Sequence, residues 1–142
     1  MKKIKIKLLR GINTVSPQRH SDWIDLAAAE ETKICAGEYK AIPLGVAMQL
    51  PRGYEAIMAP RSSTYNYHGI LLANSIGVID EAYQGDRDEW HFLAYATRNT
   101  VIHAGERICQ FRIIKHQPRL RLEWVKHLRN PDRGGIGSTG RT

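Results

Sequence analysis

Gly77-Val78-Ile79-Asp80-Glu81-Ala82-Tyr83-Gln84-Gly85-Asp86 is flanked on both sides by runs that read as β-strands. Upstream, Gly69-Ile70-Leu71-Leu72-Ala73-Asn74 is apolar up to a polar turn residue; downstream, His91-Phe92-Leu93-Ala94-Tyr95-Ala96 is the second run. Val78 and Ile79 favour an extended backbone, so successive side chains alternate between faces. Gly77 and Gly85 permit a sharp turn or the close approach of a ligand to the main chain. The expected unit is a hairpin offering bare backbone, one carboxylate and one aromatic ring. That set can hold a flat polar ring and a sugar. Taken alone, a surface hairpin with a solvated acid and a core tyrosine is the simpler reading.

Working outward, strands dominate. Lys2 to Leu8 alternates lysines with Ile4, Ile6 and Leu8, predicting one wet and one buried face. A loop is expected through Ser16-Pro17-Gln18-Arg19-His20. Ser21 to Glu30 reads as a short strand, because Asp22, Trp23, Ile24 and Thr32 dilute the helical signal of the alanines and Gly37 soon breaks the chain. Gly37 to Leu50 places Ile42, Leu44, Val46 and Met48 at alternate positions, as in a half-buried strand. Pro51-Arg52-Gly53 is a turn and Tyr54 to Ala59 the next strand. Ser62 and Ser63 are good N-caps for one short helix to His68, with Gly69 beyond it. Val101 to Ala104, Arg107 to Lys115 and Arg119 to Val125 read as strands, with a turn at Gly105-Glu106. Many short strands and one helix predict an all-β sandwich or barrel.

A chain of 142 residues suits one domain with a real core. Its longest quiet apolar stretch, Ala41 to Leu50, is about half a membrane span and holds Pro43, Gly45 and Gln49. No apolar run follows the N-terminal lysines, so no signal peptide is expected. Cys35 and Cys109 lack partners at metal-ligand spacing and are expected to be reduced core thiols of a cytoplasmic protein. The net charge of +7 is uneven: residues 1–10 carry +5, residues 112–142 carry +6, and the middle carries −4. Basic ends around an acidic middle suit a polyanionic ligand that meets a metal, and equally suit weak nucleic-acid binding.

Four further stretches carry chemistry. Arg61-Ser62-Ser63 offers a helix start, two hydroxyls and a guanidinium, which suits a phosphate or simply caps the helix. Asp25 suits a light contact to a hard cation such as Mg²⁺, which keeps most of its waters while phosphates supply other ligands. Standing alone, it reads as a solvated loop acid. Gln110 puts an amide in the apolar strand Arg107-Ile108-Cys109-Gln110-Phe111, where burial demands a partner. Arg133-Gly134-Gly135-Ile136-Gly137-Ser138-Thr139-Gly140 is a Gly-rich loop able to cradle phosphates through backbone N–H groups. It is no Walker loop, having no following Lys and opening no helix.

In this order and spacing, five stretches resemble the ordered motifs of the trimeric dUTPases. They are Asp25-Leu26-Ala27-Ala28, Pro60 to Ser63 with Gly69-Ile70, Gly77 to Asp80 with Tyr83 and Gly85, Gly105 to Gln110, and Gly134 to Gly140. The resemblance implies a jelly-roll-like β domain over residues 1–128, a flexible tail over 129–142 closing the site, and a homotrimer. It implies Mg²⁺-assisted hydrolysis of dUTP to dUMP and pyrophosphate, with no membrane and no specific nucleic-acid partner.

By position, Asp80 would activate the water that attacks the α-phosphorus. Tyr83 would lie under the deoxyribose and exclude a 2′-hydroxyl. Asn74 and the backbone from Gly77 to Ile79 would read uracil. Arg61, Ser62, Ser63 and Gln110 would hold phosphates, and Asp25 would meet Mg²⁺ through water. Arg133, Ile136, Gly137, Ser138 and Thr139 would close over the substrate from a neighbouring subunit. The chain departs from the family in having Ile136 where a stacking Phe is usual, Trp23-Ile24 before Asp25, and a longer run from Gly85 to His91. A dCTP deaminase-like enzyme is the alternative within the nucleotide class, and a regulatory or nucleic-acid-binding protein on the same fold the alternative outside it.

Overall fold

The computed structural model describes residues 1–142. Apart from one helix, α1 (Thr64–His68), its regular elements are all strands, as the alternating patterns predict. A five-stranded antiparallel sheet runs β2 (Val15–Pro17), β3 (Ile24–Ala27), β12 (Arg107–Lys115), β7 (Tyr54–Pro60) and β9 (Gly77–Ile79) in spatial order. A three-stranded sheet runs β5 (Tyr39–Pro43), β10 (His91–Ala96) and β8 (Ile70–Leu72). Two pairs complete the fold: β1 (Lys5–Leu8) with β6 (Val46–Gln49), and β4 (Thr32–Ile34) with β11 (Thr100–Ile102). The inner faces share one apolar core, in which the fully buried rings of Trp90 and Phe111 meet edge to face at 5.1 Å.

Where β8 ends, the chain leaves one sheet for another. A turn closed by Ser75 N–H donating to the Leu72 carbonyl at 2.9 Å, with Ser75 in the left-handed region, swings it across. The two runs flanking the central stretch do pair, Ala94 opposite Leu72 and Ala96 opposite Ile70. The segment between them does not close a hairpin on itself. β9 pairs instead with β7, Ile79 opposite Ala56 and Gly77 opposite Met58. At Gly77 the close approach is to this neighbour, since an added Cβ would sit 3.1 Å from the Met58 Cβ.

Several other expectations change. The single strand over Gly37 to Leu50 is broken at Leu44-Gly45, where Gly45 takes a φ of +69° and a Cβ would lie 2.8 Å from the Ala29 Cβ. The bend lets β5 and β6 serve different sheets. Val15 to Pro17, read in part as loop, forms β2, an edge strand, where proline costs no ladder bond. β1 is exposed at all its residues, and only Ile4 before it packs on the core. Cys109 is buried, but Cys35 is exposed at the turn after β4 and is no core thiol.

Arg119 to Val125 has the alternation of a strand and is not one: no other part of the chain pairs with it, so Leu120, Leu122 and Trp124 stand in solvent. The helix stops where the glycine rule puts it, with Gly69 in the left-handed region and its N–H on the Tyr65 carbonyl. At its start, Ser63 occupies the cap position without a side-chain hydrogen bond. Thr64 instead ties the helix start to its surroundings, its hydroxyl accepting from the Arg61 N–H and donating to the Ile108 carbonyl, both at 2.8 Å.

Candidate active site

Asp80 follows the last residue of β9, and a turn closed by Tyr83 N–H donating to the Asp80 carbonyl at 3.0 Å brings the aromatic ring back beside it. Both line a pocket of about 250 Å³ together with Asn74 and the main chain of Gly77, Val78 and Ile79. Met58, Leu72, Trp90 and Leu93 supply its apolar wall, and Glu89 and His91 its rim. The Tyr83 hydroxyl donates to the Glu89 carbonyl at 2.8 Å, which fixes the ring. Partial burial, with Asp88 and Glu89 nearby, raises the Tyr83 phenol above its ordinary pKa, so it stays a neutral donor. An exposed carboxylate, a pinned aromatic ring and an edge of strand backbone thus share one concave site. Such a site suits a flat heterocycle attached to a sugar.

A second constellation sits at the far end of β7 and β12. On β3, Asp25 is directly opposite Gln110 of β12, so the two share a face. A bulge between Arg107 and Cys109 shifts the register there, and bulges re-aim side chains. Arg107 reaches back to Asp25 Oδ2 at 2.9 Å, and Arg61 Nε meets the same oxygen at 3.1 Å. Asp25 is buried, not a solvated loop acid. Gln110 finds the partner its position requires, donating from Nε2 to the Pro60 carbonyl at 3.1 Å. Ser62 is exposed and Ser63 half-buried beside Arg61. Two guanidiniums, an amide and two hydroxyls therefore crowd one edge, which suits a polyphosphate.

Within one chain these two sets stay apart. Asp80 borders Glu55 near one end of β7, while Arg61 follows its other end. At roughly 3.3 Å per residue the run from Glu55 to Arg61 spans about 20 Å. The tail joins neither: Arg133, Ile136, Gly137, Ser138 and Thr139 are exposed and line neither site. Its only order is a pair of successive turns, Ser138 N–H to the Gly135 carbonyl and Gly140 N–H to the Gly137 carbonyl.

Sequence reasoning overlooked the wall and rim residues, Glu89 and His91 above all, and gave Arg107 no role. Arg107 carried a signal, standing three residues from Gln110 in a strand already singled out. Glu89 carried none: its partner Arg10 lies far away in the chain.

Comparison with known proteins meets this geometry. The family model described as dUTPase matches residues 13–140. The chain belongs to the dUTPase family. It is 56% identical over 138 residues to the SPbeta prophage-derived deoxyuridine 5′-triphosphate nucleotidohydrolase of Bacillus subtilis, covering 96% of this chain and 97% of that one. Among solved structures, a dUTPase from Streptococcus mutans is 28% identical with a TM-score of 0.68, over 84% of this chain and 98% of the other. A dUTPase from phage phi11 of S. aureus, described for its coordination of a structural Mg(II) ion, superposes with a TM-score of 0.76 over 89% and 98% of the two chains. At 17% identity that likeness establishes the jelly-roll-like dUTPase fold alone.

Of the stretches that carry the resemblance, the one with Asp80 and Tyr83 lies at the pocket, and those with Asp25, Arg61 and Gln110 meet at the second constellation.

Proposed function

We propose that this dUTPase-family chain hydrolyses dUTP to dUMP and pyrophosphate in the cytoplasm. The observation that carries the reading is the sharing of one pocket by Asp80, Tyr83, Asn74 and the exposed edge of β9. Uracil lies against the β9 backbone and Asn74, whose donors and acceptors mismatch cytosine and whose tight fit refuses the methyl of thymine. Tyr83 packs on the deoxyribose and leaves no space for a 2′-hydroxyl. Asp80 orients a water for in-line attack on the α-phosphorus and takes its proton.

Arg61, Ser62, Ser63 and Gln110 hold the phosphates, with Arg107 beside them. Positioning and charge neutralisation supply most of the rate in phosphoryl chemistry. The residues fit Mg²⁺ only in part-share with substrate. No cluster of three carboxylates, histidines or cysteines offers a protein cage, and Asp25 is already compensated by two arginines. Asp25 would then meet the ion only through water, the triphosphate supplying its other ligands, and the ion would supply charge neutralisation.

A separation of about 20 Å between Asp80 and Arg61 is too long for one nucleotide to bring its α-phosphate to both, so one chain's pocket is completed by another chain's phosphate edge. A homotrimer with shared sites satisfies this. It also gives a function to the exposed row Leu120, Leu122 and Trp124, as surface that a neighbouring subunit covers. The tail from Arg129 onward closes over the substrate, with Ile136 against the base and Arg133, Gly137, Ser138 and Thr139 on the phosphates. The test is pyrophosphate release from dUTP, with and without Mg²⁺, by the wild type and by Asp80→Asn. No release by the wild type with Mg²⁺ present would refute the reading.

A further inference from the structure

Arg10 does not line the nucleotide pocket and precedes the residues that the family model matches, yet it grips the pocket's rim through Glu89. Its guanidinium donates twice to Glu89, Nε to Oε2 at 2.7 Å and NH2 to Oε1 at 2.8 Å, and its remaining nitrogen reaches Glu30 at 3.0 Å. Glu89 Oε2 also accepts the Gly45 N–H at 3.0 Å. The Glu89 side chain is thereby held almost out of solvent, at 12% exposure. Its own carbonyl is the acceptor for the Tyr83 hydroxyl at 2.8 Å and faces His91 Nδ1 at 3.0 Å. Tyr83 and His91, which both line the pocket, thus hang on one peptide unit whose side chain is clamped from behind.

We propose that Arg10 is a positioning residue for sugar recognition: its two-pronged grip on Glu89 fixes the carbonyl that holds the Tyr83 ring, and so sets the preference for 2′-deoxynucleotides. This rests on the reading of Tyr83 as the residue under the deoxyribose. The fork matters as much as the charge, because a guanidinium holds both carboxylate oxygens in one plane, whereas an ammonium makes a single movable contact. Without Arg10, this largely buried carboxylate keeps only the Gly45 N–H at 3.0 Å and the longer contact to His91 Nε2 at 3.8 Å. It then turns toward solvent and takes the peptide with it. The hydrogen bond from Arg10 also lowers the Glu89 pKa, as a tight ionic grip requires. A ring displaced by an ångström no longer excludes the extra hydroxyl.

The experiment measures kcat/KM for dUTP and for UTP in the wild type, Arg10→Ala, Arg10→Lys, Tyr83→Phe, Tyr83→Ala and the Arg10→Ala/Tyr83→Phe double variant, with a thermal melt of each. Arg10→Ala is expected to narrow the dUTP/UTP ratio about tenfold, and Arg10→Lys to narrow it less. On the Tyr83→Phe background, where the phenol bond is already gone, Arg10→Ala is expected to narrow it no further. An unchanged ratio in Arg10→Ala, or equal narrowing on both backgrounds, overturns the proposal while Tyr83→Ala still shows Tyr83 at the sugar. A ratio unchanged in Tyr83→Ala removes the sugar reading itself and the role of Arg10 with it. If Arg10→Ala melts below the assay temperature, the same cycle is run with Arg10→Lys, which keeps the charge and loses only the fork.

Discussion

A carboxylate oxygen that takes two guanidiniums, as Asp25 Oδ2 does at 2.9 and 3.1 Å, fixes the direction of both. Arg61 and Arg107 are partly open to solvent, so Asp25 fixes their direction without silencing them toward a phosphate. Asp25→Ala should lower unfolding free energy in urea by roughly 2 kcal/mol. That is less than the ~3–5 kcal/mol of a fully buried pair, because water reaches the released guanidiniums. A loss within experimental error would mean that the ion pairs contribute nothing to folding. Asp80 has a different task. Asp80→Asn should retain nucleotide binding and lose a factor of about 10² or more in kcat; normal turnover would remove Asp80 as the base. Asp25 and Asp80 were both visible in the sequence as lone acids near strands. That one is buried and the other exposed was not, since burial depends on which strands come alongside.

At the scale of elements, the bend at Gly45 and the helix-to-strand corner at His68 decide what the site rests on. Gly45 combines a left-handed backbone with no space for a Cβ, and its N–H holds Glu89. Gly45→Ala should therefore cost at least ~1–2 kcal/mol, the left-handed penalty for an L-residue, before the clash with Ala29 is counted. A melt unchanged from wild type would show that the bend relaxes freely. His68, at the end of α1, is buried with its Nδ1 3.5 Å from Glu106 Oε2. Burial is the largest influence on it and lowers its pKa; Arg98, Arg61 and His103 lower it further, and Glu106 opposes them. The sign follows: the folded chain resists the proton that the unfolded chain accepts near its ordinary pKa of about 6.5. Stability from this residue is present above that pH and is lost as the pH falls toward the lower folded value. The melting temperature should drop between neutral pH and the mid-acid range, and His68→Gln should flatten that slope. Equal slopes in the two proteins would refute the assignment.

At the scale of the molecule, the question is how many chains make one site. Asp80→Asn and a truncation ending at Arg129 should each be nearly inactive. If each site of a cyclic trimer takes Asp80 from one subunit and the tail from the next, every mixed trimer holds one intact site. Co-refolding a 1:1 mixture should then restore roughly a quarter of all sites. Pyrophosphate release from dUTP measures the recovery. None, with mixed trimers confirmed by mass spectrometry, would show that the tail serves its own subunit or has no catalytic part.

Sequence alone sufficed for the class of the fold, because strand patterning is a local property: burial alternates along β10, while β5 and β6 turn wholly buried where they meet at Gly45. It sufficed too for Gly69, whose left-handed cap follows from the lack of a Cβ. It also located Asp80 and Tyr83 together, since a turn three residues long leaves little choice of neighbour. Pairing is not local. Nothing in the residues of β9 says that they join β7 and not their own flanks, or that the equally alternating Arg119 to Val125 finds no strand within the chain. The same holds for Arg10 and Glu89, or Asp25 and its two arginines: such contacts are long-range and carry no periodic signature. Only the folded sheets, by bringing those segments side by side, decide them.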